Sequence, residues 1–347
     1  IGGIVLGRLG DSRGRRWLLT VSVALIAAST LVIGCLPTYS QIGWLAPAIL
    51  LLCRLTQGFS LGGEFTGSMA YTTEHAGPLM RGLVSSSTAL GTSLGFLSGS
   101  AAVMVLDHAL TKGQIEEWGW RLPYLFSVVM ALFGWWLRRS LHESEAGEKA
   151  MSIDQRPPVM AAIVADWRPA LQLFAIVAFS NALYYYVFNA AVASAKAGDP
   201  GNAARFQTAN TLALVGVAAS KVLGGWMSDR IGRRSSALFF TTWGLLVMGP
   251  GWLAMTHQPI EPNAFLCAQL LMGIPIAMSL GMQGAMLVEM FPVANRVVSM
   301  SFAYSVAMAL SGGIMPMLDS WFTTELKRPG ATMVWIGALG VAATLVL

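Results

Sequence analysis

Apolar residues run through this chain in ten blocks, near 17–36, 44–70, 82–106, 121–139, 169–194, 207–227, 236–255, 263–287, 297–318 and 331–347. Each holds about 17–25 residues, enough to cross a hydrocarbon core of about 30 Å as a helix. Ile1 to Leu6 reads as the tail of an eleventh span, and Leu347 ends the last block with nothing behind it, so the sequence reads as a fragment. Most polar intervals are short. The exception is 141–168, which divides the chain into an N-terminal bundle (1–140), a central loop (141–168) and a C-terminal bundle (169–347). The pattern predicts an all-α membrane protein.

Composition agrees. Hydrophobic residues make up 55% of the 347 and charged residues 11%, against roughly 25% charged in a soluble domain. The net charge of +5 does not indicate nucleic acid, because the basic residues sit in loops on alternate sides of the expected membrane. One side carries 14 Lys/Arg: Arg8, Arg13, Arg15, Arg16, Arg81, the five between Arg138 and Arg168, Arg230, Arg233, Arg234 and Arg296. The other carries 6 and two, Arg54 and Lys221, fall inside spans. The positive-inside rule makes the richer side, with the central loop, cytoplasmic. Trp44, Trp118, Trp120, Trp167 and Trp252 lie near span ends, where amphipathic rings settle. Cys35, Cys53 and Cys267 lie in or beside apolar blocks, and His75, His108, His142 and His257 have no ligand spacing. Neither a disulfide framework nor a metal site is expected.

The sequence repeats. Gly7, Asp11, Gly14, Arg15 and Arg16 of GRLGDSRGRR (7–16) return as Gly225, Asp229, Gly232, Arg233 and Arg234 of GWMSDRIGRR (225–234), 218 residues later. The following span repeats at an offset of 215, matching Gly58, Glu74 and Arg81 with Gly273, Glu289 and Arg296. Two bundles of similar build joined by a polar segment are what parallel-repeat transporters look like in sequence. A short turn of this kind offers Asp to a neighbouring helix N-terminus and Arg to carbonyls or acids, contacts that can lock one face shut. The plainer reading is that the arginines only set topology, but topology needs positive charge alone, and both copies carry Asp and Gly as well. Arg230 belongs to the second copy. Glu74 with Arg81 and Glu289 with Arg296, each seven residues apart, stand where they would complete two cytoplasmic latches.

Residues that the repeat does not share are more informative. Arg54 faces Gln269, Gln57 faces Met272 and Glu64 faces Ser279, so the first half alone keeps these polar groups inside its helix. An arginine at the bilayer centre costs about 2.5–3.5 kcal/mol on insertion scales and needs a wet cavity or an acidic partner. Arg54 and Glu64 read either as a substrate and proton pathway or as structural ion pairs. Lys221 reads either as a substrate cation or as a chain that snorkels to the headgroups. In SNALYYYVFN (180–189), Asn181, Tyr184 and Tyr185 share a broad helical face that would line a pore or simply pack. Gly91, Gly95 and Gly99 give a GxxxGxxxG packing face. GTSLG (91–95) matches a hydrolase nucleophile elbow and GPGWLA (249–254) a dinucleotide loop only on paper, because neither follows a strand.

RLTQGFSLGGEFTGSMAYTTEHA (54–76), WGWRLPYLF (118–126), LRRSLHES (137–144) and WMSDRIGRR (226–234) resemble the metabolite:proton symporter family of the major facilitator superfamily, over nearly the whole chain. The resemblance implies twelve spans in two six-helix bundles related by a pseudo-two-fold, with the first span and most of the second absent here. It also implies a multi-pass bacterial inner-membrane protein that works by alternating access, taking up an organic acid or zwitterion with protons. By the same resemblance Arg54 and Gln57 fall on an Arg-x-x-Gln-Gly pattern associated with proton coupling, Glu64 falls on the family's GGE, and Asp11, Arg15 and Arg16 fall on its first loop motif. Two positions depart from the family: Ser12 stands where arginine is usual, and Glu145 replaces the proline after Glu143-Ser144. Ser12 makes the second loop the better expected latch.

The expected cycle places substrate against Arg54 and Tyr184 or Tyr185, with an intramembrane carboxylate carrying the proton, for which Glu64 is the candidate well inside a retained helix. The proton is the coupling ion and no cofactor is called for. The expected partners are a small metabolite and the bilayer, the expected state a monomer. The rivals are a uniporter or exchanger without proton coupling, a transporter-like sensor, and a membrane enzyme. The stretch from Arg138 to Arg168 carries five basic and five acidic residues and offers no output domain, and no His, Cys or carboxylate cluster suggests catalysis.

Overall fold

Every apolar block is a helix in the computed structural model, which describes residues 1–153, 156–256, 260–328 and 330–347, and all of these but Asp107 with their side chains. Asp154 and His257 lie outside the described residues. In chain order the helices are α1 (Gly2–Arg13), α2 (Arg15–Gly34), α3 (Tyr39–Ile42), α4 (Leu45–His75), α5 (Arg81–Ala109), α6 (Lys112–Glu117), α7 (Leu122–Arg139), α8 (Glu145–Met151) and α9 (Val159–Ala165). They continue as α10 (Trp167–Tyr185), α11 (Ala191–Gly198), α12 (Ala203–Ile231), α13 (Arg233–Thr256), α14 (Pro262–Met290), α15 (Arg296–Met308), α16 (Met315–Thr324) and α17 (Gly330–Val346). Two π turns, Tyr186–Ala190 and Ala309–Gly313, join α10 to α11 and α15 to α16 without ending the spans. Nine spans among the described residues are long and apolar enough to cross a membrane, and α17 is a shorter apolar helix. No strand occurs among the described residues.

The chain folds as two compact units. One comprises Ile1–Glu74, Gly95–Ala165 and Phe291–Phe302, the other His75–Leu94, Asp166–Met290 and Ala303–Leu347. The first half of α5 therefore belongs with the helices of the second repeat, and the start of α15 with those of the first. Within the first unit α2 packs along α7 and α1, with Leu6 and Leu18 seated over Gly63 and Gly67 of α4. Leu18 is fully buried, and a side chain at either glycine would displace it. The second unit has the larger core, where Phe206, Phe265, Met272, Leu183 and Val187 from α12, α14, α10 and the π turn are buried together. α7 buries none of its side chains, as a span with a lipid-facing surface requires. Arg–Trp stacks mark several span ends, among them Arg139 over Trp135 at 3.5 Å and Arg121 over Trp120 at 4.4 Å.

The glycine face expected at 91, 95 and 99 makes no close approach: a Cβ at any of the three meets nothing within 4 Å. Close approaches occur instead at glycines without that spacing, such as Gly224 against Met278 and Gly281 against the Lys221 backbone. Within 141–168, Ser144 caps α8 by accepting from the Gly147 N–H at 2.9 Å. Glu145 then occupies the first helical position, where proline would fit equally and an acid suits the helix dipole.

Candidate functional site

The two Asp-x-x-Gly-Arg-Arg loops fold alike. Gly14 and Gly232 take φ of 96° and 88°, which a residue with a side chain adopts only under strain. The chain thereby turns sharply from α1 into α2 and from α12 into α13. Gly7 and Gly225 serve another purpose, letting the backbone at Val298 and at Gly82 come against them. That closeness brings each Asp to a helix N-terminus. Asp11 accepts from the Val297 and Val298 N–H groups at 3.2 and 3.0 Å, and Asp229 accepts from Gly82 and Leu83 at 2.8 Å each. Each carboxylate satisfies donors that a helix start leaves orphaned, in the favourable direction of the helix dipole.

Around these caps lie the ion pairs. In the first unit Arg15 bridges Asp11 (3.1 Å) and Glu74 (3.4 Å), and Arg296 reaches Glu74 at 2.8 Å. Ser144 donates to the other Glu74 oxygen at 2.5 Å, and Glu143 accepts from the Arg15 and Arg16 N–H groups. In the second unit Arg233 bridges Asp229 (2.8 Å) and Glu289 (3.1 Å), and Arg81 meets Glu289 at 3.6 Å. The seven-residue pairs of the sequence are thus exchanged: Glu74 takes Arg296 and Glu289 takes Arg81. Arg16 donates to the Arg139 carbonyl, Arg230 stacks on Trp226, and Arg234 is exposed.

Ser12 leaves the ion pairs of the first loop in place. Its position is exposed, and its hydroxyl only bonds back to the Leu9 carbonyl. The first latch is the deeper one: the side chains of Asp11 and Arg15 are 0% exposed, against 6% and 18% for Asp229 and Arg233. Arg156, from the central loop, adds donations to the Asp11 and Ala294 carbonyls at 2.8 and 3.3 Å. Burial pushes the Asp11 carboxyl up to about 6, against the pull of Arg15, the two N–H groups and Arg156.

Inside the first unit's spans, Arg54 donates to the Gln57 side-chain oxygen at 3.1 Å and to the Tyr124 hydroxyl at 3.3 Å, while Gln57 donates to Thr30 at 2.8 Å. Every partner is neutral. Arg54 makes no ion pair among the described residues and stands exposed. Glu64 is different, because Arg138 of α7 pairs with it at 3.0 Å. The second Glu64 oxygen is buried without a hydrogen-bond partner.

In the second unit Lys221 is 3% exposed. Its ammonium donates to the Ala89 carbonyl (3.1 Å), the Thr92 hydroxyl (3.4 Å) and the Ser93 hydroxyl (2.6 Å), and lies 5.6 Å from the Tyr184 ring centroid. No carboxylate pairs with it among the described residues. The three consecutive tyrosines have separate partners. Tyr184 faces Lys221, Tyr185 packs on Gly312 of the second π turn, and Tyr186 is hydrogen-bonded to Trp252. Asn181 is buried and donates to the Val177 carbonyl of its own helix at 2.9 Å. Gln269, the counterpart of Arg54, donates to Asn210 at 2.8 Å and to the Val187 carbonyl at 3.1 Å.

Sequence reasoning missed Arg138, Arg156, Tyr124 and Asp319. Arg138 and Arg156 were absorbed into a loop count and Tyr124 into a motif. Asp319 fell one residue past the block ending at 318. An open cavity of about 750 Å³ at the α12 and α14 ends, lined by Asp199, Arg205 and Glu261 among others, contains none of the expected site residues. Among the described residues no three His, Cys, Asp or Glu side chains group as metal ligands would.

Long apolar helices, ion-paired loops at span ends and isolated polar groups inside the spans are those of a multi-pass membrane protein. Residues 1–159 match the family model described as "Sugar (and other) transporter", and residues 174–347 match that of the major facilitator superfamily. The chain is 33% identical to the inner membrane metabolite transport protein YhjE of Escherichia coli K12, over 98% of this chain and 78% of that protein. It is 31% identical to a citrate-proton symporter of Klebsiella pneumoniae (100% and 79%) and 30% identical to a putative proline/betaine transporter of Staphylococcus haemolyticus (100% and 74%). In structure it is similar to the proton:xylose symporter XylE, with a TM-score of 0.79 over 99% of this chain and 82% of the other at 18% identity. It is also similar to the E. coli fucose:proton symporter FucP, at 0.70 over 100% and 86% with 14% identity. The chain belongs to the major facilitator superfamily, and its resemblance to the metabolite:proton symporter branch is carried by these relatives. It is a transporter, not an enzyme.

Proposed function

We propose that this chain carries a small carboxylate-bearing metabolite, an organic acid or a zwitterion, across the bacterial inner membrane together with protons. The observation that carries the reading is Arg54, a guanidinium inside a span whose partners among the described residues are all neutral. An intramembrane cation without a counter-ion is costly, and an incoming carboxylate would remove that cost. Gln57 and Tyr124 hold it in place, and Lys221, beside the Tyr184 ring, is a second intramembrane cation with no carboxylate partner among the described residues. The relatives' printed substrates, citrate and proline or betaine, all bear a carboxylate. The Lys/Arg asymmetry supports a cytoplasmic central loop, so that both Asp-capped latches close the cytoplasmic face in alternating access.

Uptake by the full-length protein in membrane vesicles, with and without an inward proton gradient, tests this. Wild type should accumulate substrate only with the gradient. Arg54→Ala should lower apparent affinity roughly 10- to 100-fold, the worth of a charged hydrogen bond. Near-normal uptake by that variant would sink the carboxylate reading, and gradient-independent equilibration by wild type would replace symport with uniport or exchange.

A further inference from the structure

Two acids inside the spans are not part of the latches, among residues whose side chains are described: Glu64 and Asp319. Glu64 is held by Arg138 at 3.0 Å. Asp319, on α16, is 8% exposed and has no cation within ion-pair distance among the described residues. Among the described residues its carboxylate has one hydrogen-bond partner, the Thr332 hydroxyl of α17, at 2.9 Å to Oδ1. Around it, the π turn contributes Tyr186, whose hydroxyl feels the Asp319 charge and is itself hydrogen-bonded to Trp252 of α13. The connection from α16 to α17 carries Glu325, Lys327 and Arg328, all exposed.

A carboxylate largely withdrawn from solvent keeps its charge against a cost of desolvation that one hydroxyl offsets only in part. A proton on Oδ2 removes that cost and leaves Oδ1 to accept from Thr332. The repeat does not demand an acid here, since Met104 stands 215 residues earlier. The place suits a proton entering from outside. α15 begins at the latch end with Arg296, so Asp319 lies 23 residues, roughly 35 Å, along the span toward the opposite face. It is also next to a mechanical element. α16 packs on the Tyr186–Ala190 π turn and α10 on the Ala309–Gly313 π turn, and such turns mark functional irregularities in helices.

We propose that Asp319 is the proton-binding carboxylate of the transport cycle, its Oδ2 taking a proton from hydronium on the outer side, which leaves as water, and giving it up to water on the cytoplasmic side later in the cycle. This rests on the symport reading above and names Asp319, in place of the ion-paired Glu64, as its proton carrier. The test uses full-length wild type, Asp319→Asn and Asp319→Glu in lipid nanodiscs and in vesicles. Infrared difference spectra between alkaline and acidic pH should show a protonated-carboxyl band in wild type that Asp319→Asn lacks and Asp319→Glu restores at a shifted frequency. Accumulation of citrate, proline and glycine betaine under an inward proton gradient should fall at least about tenfold in Asp319→Asn and recover in Asp319→Glu. An unchanged band in Asp319→Asn, or wild-type accumulation by it, overturns the proposal. Wild type that accumulates none of the probes under a gradient overturns the symport reading instead, and the infrared band alone then decides whether Asp319 takes a proton.

Discussion

At Asp11 a single carboxylate does three jobs: it caps α15, pairs with Arg15 and is sealed from water. Because burial outweighs its favourable partners, its carboxyl is pushed up to about 6 from 3.8. The packed state therefore binds a proton that a solvent-exposed Asp11 releases. The sign follows from linkage. Asp11's contribution to the packed state is fully present below about pH 4 and is lost as pH rises through about 6, a span worth at most about 3 kcal/mol. Asp11→Asn, which cannot titrate, should lack this dependence. Thermal melting of wild type against Asp11→Asn should move in favour of wild type on acidification across that window. A difference constant with pH would mean that Asp11 stays ionised in the packed state. The second loop makes a useful control, since Asp229 likewise accepts from two helix-start N–H groups, those of Gly82 and Leu83, with more exposure.

At the scale of elements, the spans were legible because composition alone decides them: blocks of 17 or more apolar residues become helices wherever a bilayer is the solvent. The latches were legible too, since Gly, Asp and Arg at fixed offsets leave little freedom. Which Glu meets which Arg was not, because that depends on α5 and α15 each lending one half to the other repeat's unit, and nothing local in the sequence records it. The π turns were invisible for a related reason: Tyr186–Ala190 has an ordinary helical composition. What sustains it is tertiary, including Gln269, fully buried, which donates to the Val187 carbonyl within the turn and to Asn210. The repeat places Arg54 opposite this residue, so one position serves a lone cation in one half and a structural brace in the other. Gln269→Met should cost roughly 1–3 kcal/mol by leaving Asn210 and the carbonyl unpaired. Adding Asn210→Leu should recover part of that loss, as a double-mutant cycle on melting temperature would show. Additive losses would mean that the two side chains do not act together.

For the whole chain, the two repeats share a frame but not a charge pattern, and the charges outside the frame predict an orientation. Of the 22 Lys/Arg, 14 fall in loops on the side of residues 141–168 and 6 on the other. Both ion-paired loops draw on the richer set, so charges expected to set topology include those that Asp11, Glu74, Asp229 and Glu289 hold in place. A chain inserted the other way would put these pairs on the face away from the cytoplasm and would work against the insertion bias of every basic loop. Reporter fusions test the orientation directly. Green fluorescent protein joined after Lys149 should fluoresce, and alkaline phosphatase joined there should be inactive, because the first folds in the cytoplasm and the second only outside it. Fusions after Asp199, beyond the next span, should give the opposite pair of results. Active phosphatase after Lys149 would invert the orientation, move both latches to the outer face and place Asp319 nearest the cytoplasm, where it would release protons rather than collect them.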